Sequence, residues 1–300
     1  TVAPAGTLTR TDDTPERQAV RIDTAIPFQG QSLRLRIAVA LPGRGTRLEV
    51  AVSVEHDARG FRLQAAFPIP SAGTALVQTP FSLSPRTPVQ PAEFALPARG
   101  ERVRLNAASQ PMQALALFAL ENGMALALAN RGLYEYTWEH RDRPCLTLMR
   151  AVGTITALLA EHTAEGGHAP GAHTFDYALA VQPADAPHLA LREAMAFALP
   201  ASATVLFSAP TRAPDFGFAF DQPCWMPAAF KRAEEGSDQI LRFWNASERP
   251  ETGEIRLPPG RYTKAVRARL DETPLAPLAM NGERVALTAG PFEIVTLRLS

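Results

Sequence analysis

The chain has 300 residues, 46% of them hydrophobic, and its 30 basic and 30 acidic side chains leave no formal net charge. That length fits one large β domain or two smaller ones, and it buries enough surface to fold without staples. Zero net charge excludes nucleic acid and anionic membrane as partners, because both demand a basic surplus, and no apolar run approaches the ~18 residues of a membrane span.

The chain opens Thr1-Val2-Ala3-Pro4, with no initiating methionine and no signal-peptide pattern, which reads as a segment of a longer protein. Alternation of period two then dominates. Leu33, Leu35, Ile37, Val39 and Leu41 alternate with arginines and alanines, Pro42 to Gly45 turns, and Leu48, Val50, Val52 and Val54 resume the pattern. This predicts an antiparallel hairpin with one buried face. Residues 61–70 (FRLQAAFPIP) read as a strand ended by prolines, and the proline-rich stretches 80–98, 183–187 and 209–227 read as loops or connectors. Residues 112–130 are alanine-rich enough to look helical, but Glu121-Asn122-Gly123 in their middle predicts two strands joined by a type I′ turn. Residues 130–153 (NRGLYEYTWEHRDRPCLTLMRAVG) read as a further hairpin. Tyr134, Tyr136 and Trp138 lie on one strand face, Glu135 points the other way, and Arg150 ends the second arm. Two short stretches predict helix: 155–164 (ITALLAEHTA), and 189–199 with Leu191, Met195 and Leu199 four apart. After the composition break near 210–227, alternation returns for about seventy residues, the size of a small sandwich. The expected fold is mainly β, with a large antiparallel β domain over 1–222 and a small C-terminal β-sandwich over 223–300.

Known chemical signatures are absent from the sequence. Gly43-Arg44-Gly45 lacks the third glycine and the following helix of a dinucleotide loop. There is no G-x-S-x-G elbow, CxxC, HExxH or EF-hand pattern. Glu161, His162, Glu165, His168 and His173 lie close enough in sequence to hold zinc, but their spacing matches no known cluster and their glycines and proline make a solvated loop the simpler expectation. His56, His140 and His188 are isolated and read as structural. The adjacent carboxylates Asp12-Asp13, Glu234-Glu235 and Asp271-Glu272 would point to opposite faces of a strand or, in turns, to solvent. Neither arrangement makes a glycosidase pair. Cys145 and Cys224 read as two reduced thiols rather than a disulfide framework.

In this order and at these distances, NRGLYEY, LTLMRAVG and PGAHTFDYAL resemble the C-terminal β region of family 38 glycoside hydrolases, the α-mannosidases, most closely the bacterial branch. VSVEHDARGFRLQAAFP resembles the family's strand leading into an FP segment. TPFSLSPRTP resembles its F-x-x-x-x-RP loop, through Phe81, Arg86 and Pro88. FKRAEEGSDQILRFWN resembles the K-x-AEDG start of its last sandwich, through Lys231, Ala233, Glu234, Gly236, Arg242 and Asn245. PFEIVTLRL resembles the closing strand. Together these cover most of residues 30–300, and their ordered set carries the resemblance. After Arg150 the chain departs from its bacterial relatives, reading RAVGTITALLAEHTAEGG where they carry arginines and an aspartate.

The resemblance implies a galactose-mutarotase-like β-supersandwich behind a catalytic barrel and helical bundle that this segment lacks. It also places the family's zinc ligands and aspartate nucleophile in those missing parts. This segment is therefore expected to carry no catalytic residue, no metal ligand and no cofactor of its own. Its expected partners are its own N-terminal catalytic domain and, through that, an α-mannoside. Neither nucleic acid nor membrane is expected, assembly into a homo-oligomer is open, and the expected location is the cytoplasm. Arg150, Arg86 and His173 are the candidates for lying beside the sugar. Two other readings stand beside this one: a stand-alone carbohydrate-binding sandwich using Tyr134, Tyr136, Trp138, Trp225 and Trp244, and an enzyme using the loop histidines.

Overall fold

In a computed structural model of the chain, the structure describes residues 6–43, 45–89, 92–96, 101–105, 109–157, 160–199 and 217–300. The chain divides into two compact units, Thr1–Thr79 with Ser84–Pro200, and Pro80–Leu83 with Ala201–Ser300.

The strands up to residue 183 are Thr7–Thr14 (β1), Arg17–Phe28 (β2), Gln31–Pro42 (β3), Arg47–His56 (β4), Phe61–Ala66 (β5), Ser71–Thr79 (β6), Ser82–Arg86 (β7), Ala92–Leu96 (β8), Glu101–Leu105 (β9), Ser109–Pro111 (β10), Leu115–Leu120 (β11), Met124–Asn130 (β12), Glu135–Thr137 (β13), Cys145–Ala151 (β14), Thr154–Ala157 (β15), Ala160–Thr163 (β16) and Gly171–Pro183 (β17). Nine form one antiparallel sheet in the order β1-β2-β3-β4-β17-β12-β11-β6-β7, and four form a second, β10-β13-β14-β5. The inward side chains of both sheets make the core, among them Leu33, Val52, Phe61, Val77, Phe118, Leu128, Tyr136, Trp138, Leu146 and Met149. Alternation selects them, because each strand sends every second side chain to the same side.

The 33–56 hairpin forms as its pattern predicts, with Arg34 opposite Glu55 and Ala40 opposite Glu49. Gly43 stands in its turn because the turn between β1 and β2 presses on its backbone. Its N–H donates to the Glu16 carbonyl at 2.7 Å, and a Cβ there would lie 1.8 Å from the Pro15 oxygen. Residues 112–130 form two strands, β11 and β12, but the turn is not type I′. That type needs positive φ at both central residues. Gly123 has φ 78°, whereas Asn122 is not among the residues of positive φ. The connection is a three-residue loop, Glu121 to Gly123, with glycine in the left-handed position.

The helix forms at Pro187–Ala198 (α1), starting on a proline that has no N–H to orphan. Its buried side chains are Ala190, Leu191, Ala194 and Phe197, so the expected face of Leu191, Met195 and Leu199 is rotated, and Leu199 lies exposed at the C-cap. Ala190 and Ala194 lie against Ala127, Ala129, Ala178 and Ala180 on the outer side of β12 and β17. The small side chains let helix and sheet approach closely, which accounts for the alanine content that makes 112–130 look helical.

The second expected helix, 155–164, is instead the ribbon β15–β16, with Thr154 opposite Thr163. Thr154, Ile155 and Thr156 are β-branched and favour strand; Leu158 and Leu159, which suggested the helix, lie outside the described residues. Residues 80–98, expected as loop, contain β7 and β8. Pro85 fits in β7 because that strand is the edge of its sheet.

In the smaller unit the strands are Ala219–Phe220 (β18), Trp225–Arg232 (β19), Gln239–Asn245 (β20), Glu251–Arg256 (β21), Ala265–Ala268 (β22), Pro274–Leu278 (β23), Met280–Asn281 (β24), Arg284–Ala289 (β25) and Ile294–Leu299 (β26). Two sheets, β18-β21-β25-β24 and β19-β20-β26-β22-β23, enclose Trp225, Phe243, Ile255, Val285, Val295 and Leu297. Pro227 sits in the edge strand β19 at a register shift, where a missing N–H does least harm. The part of the 209–227 connector up to residue 216 lies outside the described residues.

Candidate functional site

The hairpin at 130–153 builds a hydrogen-bonded polar face on the larger unit. Tyr136 pairs with Leu146 and Thr137 with Cys145. Tyr136 and Trp138 are buried in the core, where both meet Phe118 edge-on at 6.1 and 5.1 Å. Tyr134 does not share their face: it precedes β13 and is 67% exposed. With Trp225 and Trp244 also buried, the five aromatics form no platform for stacking on sugar, and the carbohydrate-binding reading loses the feature it rested on.

Glu135 points outward, as the alternation predicts. A β-bulge between Thr147 and Met149 reverses the phase of β14, so that Arg150 emerges on the same outer face as Thr147. Arg150 Nη2 then lies 2.5 Å from Glu135 Oε2 and donates to Ser109 Oγ at 3.1 Å. Thr147 donates to Glu135 Oε1 at 3.0 Å, and Gln64 Nε2 donates to both Thr137 and Thr147. Burial raises the Glu135 pKa, but Arg150 and the Ser109 and Thr147 hydroxyls outweigh it and hold the carboxyl below its ordinary range. Glu135 is thus an ionised anchor rather than a base, while Arg150 stays 47% exposed. Its charge at the hairpin's end is positioned, not incidental.

Arg86 and His173 are not brought to Arg150. Arg86 ends β7 and donates through Nη1 to the Pro85 carbonyl at 3.0 Å. Its guanidinium faces the Tyr136 phenol, on the opposite side of β13 from Glu135. Burial pushes that phenol up to about 12 against the pull of Arg86. His173 lies on β17 with Nε2 2.7 Å from the Ala169 carbonyl and its ring stacked on Phe175.

The other loop histidines serve separate ends. His168 reaches the Ala151 carbonyl at 3.4 Å and packs on Gly153, where a Cβ would come within 2.0 Å of its ring. His162 is exposed. Among the described residues no three His, Cys, Asp or Glu side chains gather to hold a metal ion, so the reading that uses these histidines as an enzyme's zinc ligands finds no geometry. The segment after Gly153 is not an open loop either: Ala164 N–H returns to the Gly153 carbonyl at 2.7 Å, and Arg59 pairs with Glu165 at 3.1 Å. Both cysteines are free.

In the smaller unit the polar residues of 230–245 tie turns together. Lys231 bridges Glu234 and, at 2.8 Å, Glu272. Glu272 Oε2 accepts the Glu234 backbone N–H at 2.8 Å. Arg242 donates to Thr296 Oγ1 and to the Leu270 carbonyl; Arg298 donates to Asp238 and to the Glu235 carbonyl. Asn245, fully buried, donates to the carbonyls of Arg249 and Gly290 and accepts the Ser247 N–H. Glu272, which the sequence pattern turns to solvent beside Asp271, is only 6% exposed. The turn at Asp271, whose side chain accepts the Thr273 N–H at 3.0 Å, puts Glu272 at φ 68° and rotates it inward. A sequence signal existed in the Asp-Glu-Thr triplet, since an aspartate bonding two residues ahead marks such turns.

Residues 226–297 match the family model described as glycosyl hydrolases family 38 C-terminal beta sandwich domain. No curated protein matches the chain. Among solved structures, an α-mannosidase from Enterococcus faecalis V583 superposes with TM-score 0.80 at 17% identity, over 99% of this chain and 35% of that one. A glycosyl hydrolase family 38 protein from Enterococcus faecalis gives 0.80 at 16% identity, over 99% and 36%. The chain thus resembles the C-terminal β region of glycoside hydrolase family 38, in sequence over its last sandwich and in fold throughout. It spans about a third of the length of the solved chains it matches.

Proposed function

We propose that the chain is the non-catalytic C-terminal β region of an α-mannosidase-like glycoside hydrolase, which seats the enzyme's catalytic part and contributes Arg150 to one wall of its sugar site. The observation that carries this reading is the correspondence of nearly the whole chain to about a third of a solved α-mannosidase. Arg150 supports the second half: anchored by Glu135 and Ser109, it keeps half its surface open, and a guanidinium held in one orientation suits recognition of hydroxyl oxygens. On this reading zinc and the nucleophile belong to the catalytic part. His168 and His173 approach backbone carbonyls, and Glu135 and Glu272 pair with cations, so these four side chains do not suit either task. The cytoplasm is the compartment that keeps Cys145 and Cys224 reduced.

Hydrolysis of an aryl α-mannoside tests the reading, measured on the 300-residue chain and on the whole product of its gene, with and without zinc. Activity in the whole product alone is expected. Activity in the short chain would overturn the assignment of the chemistry to another part.

A further inference from the structure

The larger unit opposes nine strands to four. At about 4.8 Å between neighbouring strands, the wide sheet spans about 38 Å and the narrow one about 14 Å. The narrow sheet therefore leaves part of the wide sheet's inner face uncovered, and the sequence stays apolar there. Across β1, β2 and β3, Leu8 stands opposite Ile22 and Ile22 opposite Ile37. At the far end Leu48 stands opposite Leu179, with Leu41 following on β3. All have the inward parity of the core residues, yet Leu8, Leu41, Leu48 and Val181 are 67%, 38%, 43% and 57% exposed.

Gln18, opposite Leu41, is the polar member of this row; an apolar area of this kind on a sheet face marks a surface that something covers. Arg10 and Asp13 at its border close on each other at 2.5 Å, so the face offers no net charge and fits an apolar, uncharged partner surface. Resting on the function proposed above, we infer that this corner of the nine-stranded sheet is the seat of the catalytic part of the same polypeptide. Two observations favour that occupant over others. About two thirds of the matched α-mannosidase lies outside the correspondence. The matched family domain is also C-terminal by description, and a part of the polypeptide that precedes the first strands would enter beside the face that carries Leu8, Ile22, Ile37 and Leu41.

Hydroxyl-radical footprinting with mass spectrometry tests this on the whole gene product and on the 300-residue chain, each at concentrations where it is monomeric. Labelling of Leu8, Leu41, Leu48 and Val181 is expected to fall about fivefold or more in the whole product, as for side chains at the dry centre of an interface. Unchanged labelling overturns the inference. So does protection in the whole product that is present only above the concentration where it is monomeric, which would make a second copy the occupant. The mannosidase assay on the same samples separates the two claims. An active whole product with unprotected leucines defeats the seat and not the function; an inactive one with protected leucines does the reverse.

Discussion

The polar cluster around Arg150 and the one around Lys231 contain similar residues put to different ends. In the smaller unit, Arg242, Arg298 and Asn245 each spend donors on backbone carbonyls of neighbouring turns, and Arg242 and Arg298 give others to Thr296 and Asp238. Such side chains hold loops in place and have little capacity left for a ligand. In the larger unit, Arg150 is held by another side chain, Glu135, and by a hydroxyl, on the outer face of a sheet. Its anchors fix its direction without consuming its exposed surface. The family-like motif of 230–245 therefore reports how a sandwich is locked, whereas the motif ending in Arg150 can report a site.

The comparison breaks first at the hairpin's inner arm. Trp138→Ala is expected to cost about 3–5 kcal/mol, because the ring is buried against Phe118 and its Nε1 donates to the Arg141 carbonyl at 3.2 Å. The urea midpoint of the 300-residue chain reads this directly. A cost below about 1 kcal/mol would mean that the hairpin carries its outer charges without belonging to the core.

The lock of the smaller unit comes next. Asn245→Ala strands the carbonyls of Arg249 and Gly290 and the N–H of Ser247 in a buried place, and about 2–4 kcal/mol is expected. Asn245→Asp should be no better, since a carboxylate would then face carbonyl oxygens. A variant with wild-type stability would remove the claim that this motif is structural.

A pH series sharpens the same claim. The Lys231 ammonium, then the Glu234 N–H, hold the Glu272 carboxyl below its ordinary value of 4.5. A depressed carboxylate adds stability that is fully present above its unfolded pKa and is lost as pH falls through the folded one. The smaller unit should thus lose stability below about pH 4.5, and Glu272→Gln should flatten that part of the curve while lowering the plateau at neutral pH. Equal slopes for both proteins would show that Glu272 is not a linked group.

Much of the fold was legible because period two survives wherever one face of a strand is buried: the 33–56 hairpin, β11–β12 and the closing strand all follow it. The helical look of 112–130 and the helix expected at 155–164 have one cause. Alanine and leucine report helix propensity only weakly, and packing decides. At 112–130 the alanines serve the approach of α1, and at 155–164 β-branched residues and pairing prevail. The site was less legible. Outward placement of Glu135 follows from alternation, but that of Arg150 depends on a bulge at Leu148 that no local residue announces. Arg86 and His173 were grouped with Arg150 by resemblance, and the strands that carry them are not neighbours of β14 in either sheet. Glu272 shows the converse, a residue dismissed as solvent-facing because its inward rotation comes from a left-handed turn.

The smallest expected stability effect is also the most informative. With 47% and 26% of their side-chain surfaces exposed, Arg150 and Glu135 form a pair worth about 0–1 kcal/mol, so Arg150→Ala should leave the urea midpoint of the 300-residue chain nearly unmoved. In the whole gene product the same change is expected to lower kcat/KM for an aryl α-mannoside about 10- to 100-fold, the range for one hydrogen bond from a charged group. A higher KM at constant kcat would place Arg150 on the bound sugar before reaction, and an equal fall in kcat and kcat/KM would place it on the transition state. Glu135→Gln separates contact from orientation: it keeps the guanidinium and its Ser109 partner but removes the charge that aims it. A smaller loss than that of Arg150→Ala is therefore expected. Identical losses would mean that Arg150 matters only through the sheet face it helps to order, and the outer cluster would then be a lock like the one around Asn245.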